Sequence, residues 1–244
     1  MKFTSLNLKE WIIKVLNDKH IYETTDIQSQ AFSSKNRDKS LIITSKTGSG
    51  KTLCFLINVL NKIDVDKKEV QALIVVPTKE LARQIYSLFV EFTKYQNNLK
   101  IKLLGKDQNK ASVINSQVII ATPNKALEFV KSNNIRNSIK FFVLDEADML
   151  FDFGFYNTIN EVFKQIKHPK LIKYATSATL HESLANQLKH ILTNWQESFT
   201  EDRSISVQPR SCITLYFSLQ RILWLRRNIM KAVKRYTIFR LNFS

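Results

Sequence analysis

Cysteine is nearly absent from this chain. Its 244 residues hold two, Cys54 and Cys212, far apart and without metal-ligand spacing, which argues against a disulfide framework and against a cysteine-built zinc site. Cys54 lies inside an amphipathic segment, where a small buried hydrophobe is the expected role. Long apolar runs are missing too. No window approaches the roughly 18 uninterrupted apolar residues of a membrane span, and the opening M-K-F-T-S-L-N-L-K-E has no signal-peptide core. A soluble, intracellular protein with no membrane partner is expected. Acidic residues are in deficit, 21 against 37 basic ones, and the formal net charge of +16 favours a polyanionic partner, of which nucleic acid is the commonest. Glycine is scarce, four in all, yet Gly48 and Gly50 fall within one turn.

That turn organises the rest of the chain. Ser45, Lys46, Thr47, Gly48, Ser49, Gly50, Lys51 and Thr52 follow the apolar run Leu41, Ile42, Ile43 directly and lead into an amphipathic segment, 53–63. Strand, glycine turn and helix is the order a phosphate-binding loop requires. Without Cβ atoms, Gly48 and Gly50 let the backbone curl and aim N–H groups at phosphate oxygens, and the helix start adds its positive dipole end. Lys51 supplies an ammonium for the terminal phosphates, and the Thr52 hydroxyl is placed to ligate Mg²⁺ between them. A plain glycine turn joining strand to helix is the alternative for this stretch taken by itself.

Elsewhere, short apolar runs alternate with amphipathic segments. Leu8, Trp11, Ile12, Val15 and Leu16 form a stripe at helical period, predicting a helix over 8–19. A second short helix is expected from Asp26, capped by its carboxylate. Apolar runs at 72–76, 101–104, 118–121, 141–144 and 171–176 alternate with helical patterns such as Leu81, Ile85, Leu88, Phe89, Phe92. Strands apolar on both faces and separated by helices imply a parallel sheet covered on both sides, an α/β doubly wound domain of about 200 residues.

A phosphate loop needs an acidic residue at the end of a neighbouring buried strand. The run 140–144 ends in Asp145, Glu146, Ala147, Asp148. Asp145 is placed to hold the metal through water and Glu146 to orient or deprotonate an attacking water. With Lys51 they are the candidate catalytic residues. Alone, such a cluster reads as a solvated helix start; beside 45–52 it reads as the metal partner.

D-E-A-D at 145–148 resembles the signature of the DEAD-box RNA helicases, and other stretches match in that family's order. Phe3, then Thr25, Ile27 and Gln28, resembles the adenine-reading Q motif, which implies that Gln28 hydrogen-bonds the adenine edge with Phe3 packed nearby. P-T-K-E-L-A-R-Q at 77–84 resembles motif Ia, Thr122-Pro123 the start of motif Ib, and Gly105 the remnant of a Gly-Gly element. Pro77, Thr78, Lys79, Gly105, Thr122 and Pro123 are thereby the implied RNA-binding residues. Asp152 to Phe155 resembles D-x-G-F. Ser177, Ala178 and Thr179 are similar to motif III, which couples the nucleotide site to the RNA site through the acidic box and Asp148.

The resemblance covers Met1 to about residue 200 and implies a RecA-like phosphate-loop domain with ATP and Mg²⁺ as cofactors. RNA-stimulated ATP hydrolysis coupled to local unwinding of RNA duplexes follows, by a monomer gripping the RNA backbone with little sequence preference. Departures from the pattern are Ser45 for Ala, Thr24 for Pro, Lys79 for Arg and Asn124-Lys125 for Gly-Arg. P-T-K-E-L-A together with D-E-A-D-M-L-F-D-F-G-F is most similar to a nucleolar branch acting on large ribosomal subunit precursors. Pre-ribosomal particles are then the implied partners and the nucleolus the implied location, with the cytoplasm as alternative.

Residues 201–218 resemble a linker and the first strand of a second RecA-like domain, which is expected to be truncated because no H-R-x-G-R block follows. Poor hydrolysis by the chain as written is therefore expected. The rival is a non-catalytic RNA-binding or scaffold remnant that binds ATP without turnover. The tail 219–244 is basic and changes character: seven of the nine Lys and Arg residues after position 200 are Arg, whereas Lys dominates before it. A basic RNA-binding helix and out-of-family sequence from a truncated or frame-slipped reading are the two accounts of it.

Overall fold

Alternation along each strand decides the layers. The computed structural model describes residues 1–34, 36, 38–105, 113–133, 135, 137–193 and 212–216; the basic tail 219–244 lies outside them. In strand β1 (Ser40–Thr44), Leu41 and Ile43 enter one apolar cluster while Ile42 enters another. The same split recurs in β2 (Ala72–Val75), β4 (Val118–Ala121) and β5 (Phe141–Leu144). Phe141 and Val143 face one side, and Phe142 and Leu144 the other. Strands apolar on both faces need cover on both, and helices supply it.

One layer holds α1 (Glu10–Asp18), α2 (Asp26–Ala31), α3 (Lys51–Lys62) and α4 (Lys79–Phe92). The other holds α5 (Pro123–Ser132), α6 (Ala147–Asp152), α7 (Tyr156–Gln165) and α8 (Glu182–Thr193). With β3 (Ile101–Leu103), β6 (Ile172–Ser177) and β7 (Cys212–Tyr216), the sheet has the order β3-β4-β2-β5-β6-β1-β7 and every pairing is parallel. This is the doubly wound α/β architecture expected of the sequence. Cys54 is fully buried among the apolar residues of α3, and burial pushes its thiol up to about 12.

One detail differs from expectation. α2 is capped by Thr25, with Asp26 as its first helical residue, and the Gln28 side chain accepts from the Thr25 N–H at 3.0 Å. A hydroxyl one residue earlier and an amide three residues on satisfy the helix start together, which leaves the Asp26 carboxylate in the first turn rather than at the cap. Residues 212–216 pair in parallel with β1 from Ser40↔Cys212 to Thr44↔Tyr216. An edge strand otherwise presents unpaired N–H and C=O groups, and this run covers β1. Among the described residues no helix is long and apolar enough to cross a membrane.

Candidate functional site

Every motif singled out by sequence, the Q motif and Asp152 to Phe155 apart, leaves the sheet at the carboxyl end of a strand, the rim where ligands of open α/β sheets bind. Sheet order divides the rim. β1, β6 and β5 carry the glycine turn, the S-A-T segment and the acidic box; β2, β4 and β3 carry 77–79, Thr122-Pro123 and Gly105.

On the first half the turn between β1 and α3 is held at both ends. The Ser45 N–H donates to the Ser177 carbonyl at 3.2 Å. Gly48 (φ +77°) and Gly50 (φ +89°) lie in the left-handed region, and Gly50 is the residue from which α3 starts. Gly50 is constrained twice, because a Cβ there would meet the Gln28 amide nitrogen at 2.2 Å. The Lys51 ammonium donates to the carbonyls of Ser45 and, at 3.0 Å, of Lys46. Burial lowers its pKa, while the charges of Asp145, Asp148 and Glu146 oppose that shift. Lys51 and the acidic box are therefore near enough for their charges to act on one another. Lys46, Thr47 and Gly48 are exposed, Thr52 is half-buried in the first turn of α3, and the buried Ser49 hydroxyl has no protein partner.

Asp145, at the end of β5, is only 6% exposed and accepts from the Thr176 hydroxyl. Burial pushes its carboxyl up to about 6, against the hydrogen bond from Thr176; the neighbouring Glu146 charge adds to the rise and Lys51 counters it. Glu146 adopts φ +53°, left-handed for a residue with a Cβ, and its N–H donates to the Thr176 hydroxyl at 3.1 Å. Such a backbone persists where surroundings over-determine it, and here it caps α6 and presents the carboxylate at the rim. Asp148 gathers the S-A-T segment. Its Oδ2 accepts from the N–H groups of Ala178 (3.0 Å) and Thr179 (3.1 Å) and from the Thr179 hydroxyl (3.3 Å). Burial alone would raise the Asp148 pKa, but these bonds, with those from Ser177 and Met149, outweigh it and hold the carboxyl below its usual range.

The Q-motif residues sit against the loop. Gln28 is buried, and its amide nitrogen donates to the Gly50 carbonyl at 3.1 Å; the Thr25 hydroxyl donates to the Ser49 carbonyl at 3.0 Å. Both Gln28 side-chain groups are thus engaged within the protein. Phe3 is packed in the core, edge to face with Phe32 at 5.9 Å between ring centroids.

The second half of the rim is a groove of about 570 Å³ lined by Lys79, Arg83 and Tyr86 of α4, Lys102 to Gly105 at the end of β3, and Thr122 and Lys125 at the start of α5. Lys79, Gly105 and Thr122 thus meet on one surface. Thr78 caps α4, its hydroxyl accepting from the Leu81 N–H at 3.2 Å, and Pro77 and Pro123 are buried, so these three shape the rim from beneath. Sequence reasoning missed Arg83, Tyr86 and Lys102. A signal existed for the first two, which recur at i+4 and i+7 from Lys79 on one helix face. Lys102 had none, because nothing local says which face of β3 meets α4.

A family model described as DEAD/DEAH box helicase matches residues 25–187. The DEAD-box ATP-dependent RNA helicase CshB of Bacillus subtilis is 30% identical over 213 residues, covering 84% of this chain and 48% of the relative. The ATP-dependent RNA helicase DBP10 of Eremothecium gossypii is 33% identical over 199 residues, covering 79% and 21%. The chain therefore spans about half or less of the length of these relatives. In fold it is similar to S. cerevisiae Dbp5 in a structure with RNA and ADP BeF3, with a TM-score of 0.73 at 23% identity over 89% of this chain and 52% of that one.

Proposed function

This chain belongs to the DEAD/DEAH box helicase family, and from that premise we propose that it is the nucleotide-binding portion of an ATP-dependent RNA helicase. The observation that carries the reading is the convergence of Lys51, Asp145, Glu146 and the Asp148 clamp on one half of the rim, beside a cationic groove on the other.

The residues fit a nucleotide with magnesium. The buried Ser49 hydroxyl, without a partner in the protein, is left to donate to a phosphate oxygen, and Asp145 is buried as a carboxylate whose ionisation a cation would favour. Residues 45–52 would cradle the phosphates, with Thr52 and, through water, Asp145 holding Mg²⁺. The ion, when bound, offsets the charge of the phosphates. Lys51 would exchange the carbonyls of Ser45 and Lys46 for the terminal phosphates. Glu146 would orient the attacking water and accept its proton. Asp148 would carry a change at the acidic box to Ser177, Ala178 and Thr179, because it bonds two of their N–H groups directly. Gln28, bonded to Gly50, would read the adenine edge only by re-pairing its amide.

On the second half Lys79, Gly105 and Thr122 would contact the RNA backbone, giving weak sequence preference and strong salt dependence. Charge stabilisation on the transferring phosphoryl group would come from a second RecA-like domain. An arginine supplied there is worth on the order of 10³ to 10⁵ in rate. The motif Ia and acidic-box letters support pre-ribosomal particles in the nucleolus as the working site.

ATPase assays on this chain, with and without RNA, and on its mixture with a related second domain, test the proposal. RNA-stimulated turnover is expected only in the mixture. Robust turnover by the chain alone would overturn the need for a second domain, and absence of nucleotide binding would overturn the assignment itself.

A further inference from the structure

The groove on the basic half is built for more than phosphate. A surface that only neutralises a backbone needs cations. This one has an apolar floor as well, made by Ala82 and Tyr86 of α4 and by Leu103 and Leu104 at the end of β3. Tyr86 and Leu103 are partly buried against the apolar cluster on one face of the sheet, and Leu104 against the cluster on the other. The floor thus lies where the sheet ends, held by both cores. The Leu104 N–H continues the ladder to Ile120 at 2.9 Å, which fixes the wall opposite α4.

Four cations line the same groove: Lys79 and Arg83 from α4, Lys102 from β3 and Lys125 from α5. Arg83 and Lys125 each have a carboxylate of their own helix at hand, Glu80 at 3.4 Å and Glu128 at 2.6 Å. These are exposed pairs that a phosphate can replace at small cost. The volume of about 570 Å³ falls in the range of small-ligand sites, roughly 300 to 1,000 Å³. A groove lined both by aromatic and aliphatic side chains and by cations is the complement of one nucleotide, its base on the apolar residues and its phosphates on the charged ones.

We propose that this groove takes a single base of the bound single-stranded RNA, packed against Tyr86, with Arg83 and Lys102 on the adjoining phosphates. The inference rests on the RNA reading above and adds to it. Contacts to the backbone alone make no distinction between RNA and a base-free ribose-phosphate chain, whereas a base pocket does. Any face of any base can stack, so the contact adds affinity without demanding a sequence.

The test compares the 244-residue chain with a twelve-nucleotide single-stranded RNA and with an abasic ribose-phosphate oligomer of the same length and charge, by fluorescence anisotropy at fixed salt. The base-bearing strand should bind about tenfold more tightly. Tyr86→Leu should bring the two affinities together, and Tyr86→Phe should restore the gap, which a general loss of folding in the Leu variant would not explain. Equal affinity of the wild-type chain for both strands would overturn the base pocket and leave backbone gripping standing. Binding of neither strand would overturn both. A gap that survives Tyr86→Leu would place the base elsewhere and overturn this assignment.

Discussion

The two halves of the rim are made from the same sheet by opposite means. Around β1, β6 and β5 Ser45, Gln28, Asp145 and Asp148 are buried or half-buried and held by hydrogen bonds: Asp145 to Thr176, Asp148 to Ala178 and Thr179, Gln28 to Gly50, Ser45 to Ser177. Around β2, β4 and β3 they are long cations over an open groove, fixed chiefly by the elements that carry them. The first arrangement suits a ligand whose reacting atoms need defined positions, since misplacement by an ångström is costly in catalysis. The second suits a flexible polyanion recognised by charge and shape, for which rigid side chains bring little advantage.

If the halves work by different physics, a change in one should leave the other standing. Lys51→Ala is the severest cut. It would remove the proposed charge-assisted bonds to the phosphates, worth about 1.5 to 3 kcal/mol each, so MgATP affinity should fall about a thousandfold if two are lost. Affinity for RNA without nucleotide should stay within about twofold. Calorimetric titration with each ligand measures both. A matching loss of RNA affinity would show that the two halves are not separable.

Asp145→Asn sharpens the contrast through stability. A carboxyl raised from 3.8 to about 6 in the folded state contributes stability that is full below its unfolded value and lost as pH rises through the folded one. At pH 7.5 the buried charge therefore costs the unliganded protein up to about 3 kcal/mol. The isosteric amide removes that cost, so the variant should be the more stable in urea at pH 7.5, and its advantage should shrink on approaching pH 4. An advantage independent of pH would mean that burial of the charge is not its cause. The stability would be gained by giving up the carboxylate proposed to hold the metal, the exchange expected where function keeps a costly group in place.

How far the sequence disclosed each half follows from the same contrast. The glycine turn was legible because backbone geometry itself requires Gly48 and Gly50, and a strand, a turn and a helix are consecutive in the chain. The sheet was legible because runs such as 118–121 and 141–144 have no polar face to offer solvent. The Gly50–Gln28 contact was not, since the two residues are 22 positions apart and only the packing of α2 on α3 brings them together. Nor was the groove. Its cations come from three elements, and a lysine such as Lys102 on an edge strand reads as ordinary surface charge until α4 is laid beside β3. Arg83 and Tyr86 carried a weak signal in their spacing from Lys79, one that any amphipathic helix also carries.

The smallest expected effect lies inside the basic half and divides it again. Each phosphate neutralised on a single strand adds about 0.7 to the slope of log affinity against log salt. Lys102→Gln should lower that slope by about this amount and weaken binding only a few-fold near physiological salt. Tyr86→Leu should also weaken binding, but with the slope unchanged, because stacking releases no counterions. Titrations at four or five salt concentrations separate the two. Parallel lines for Lys102→Gln would remove Lys102 from the phosphates, and a changed slope for Tyr86→Leu would mean that the ring acts by positioning the cations around it rather than by packing on a base.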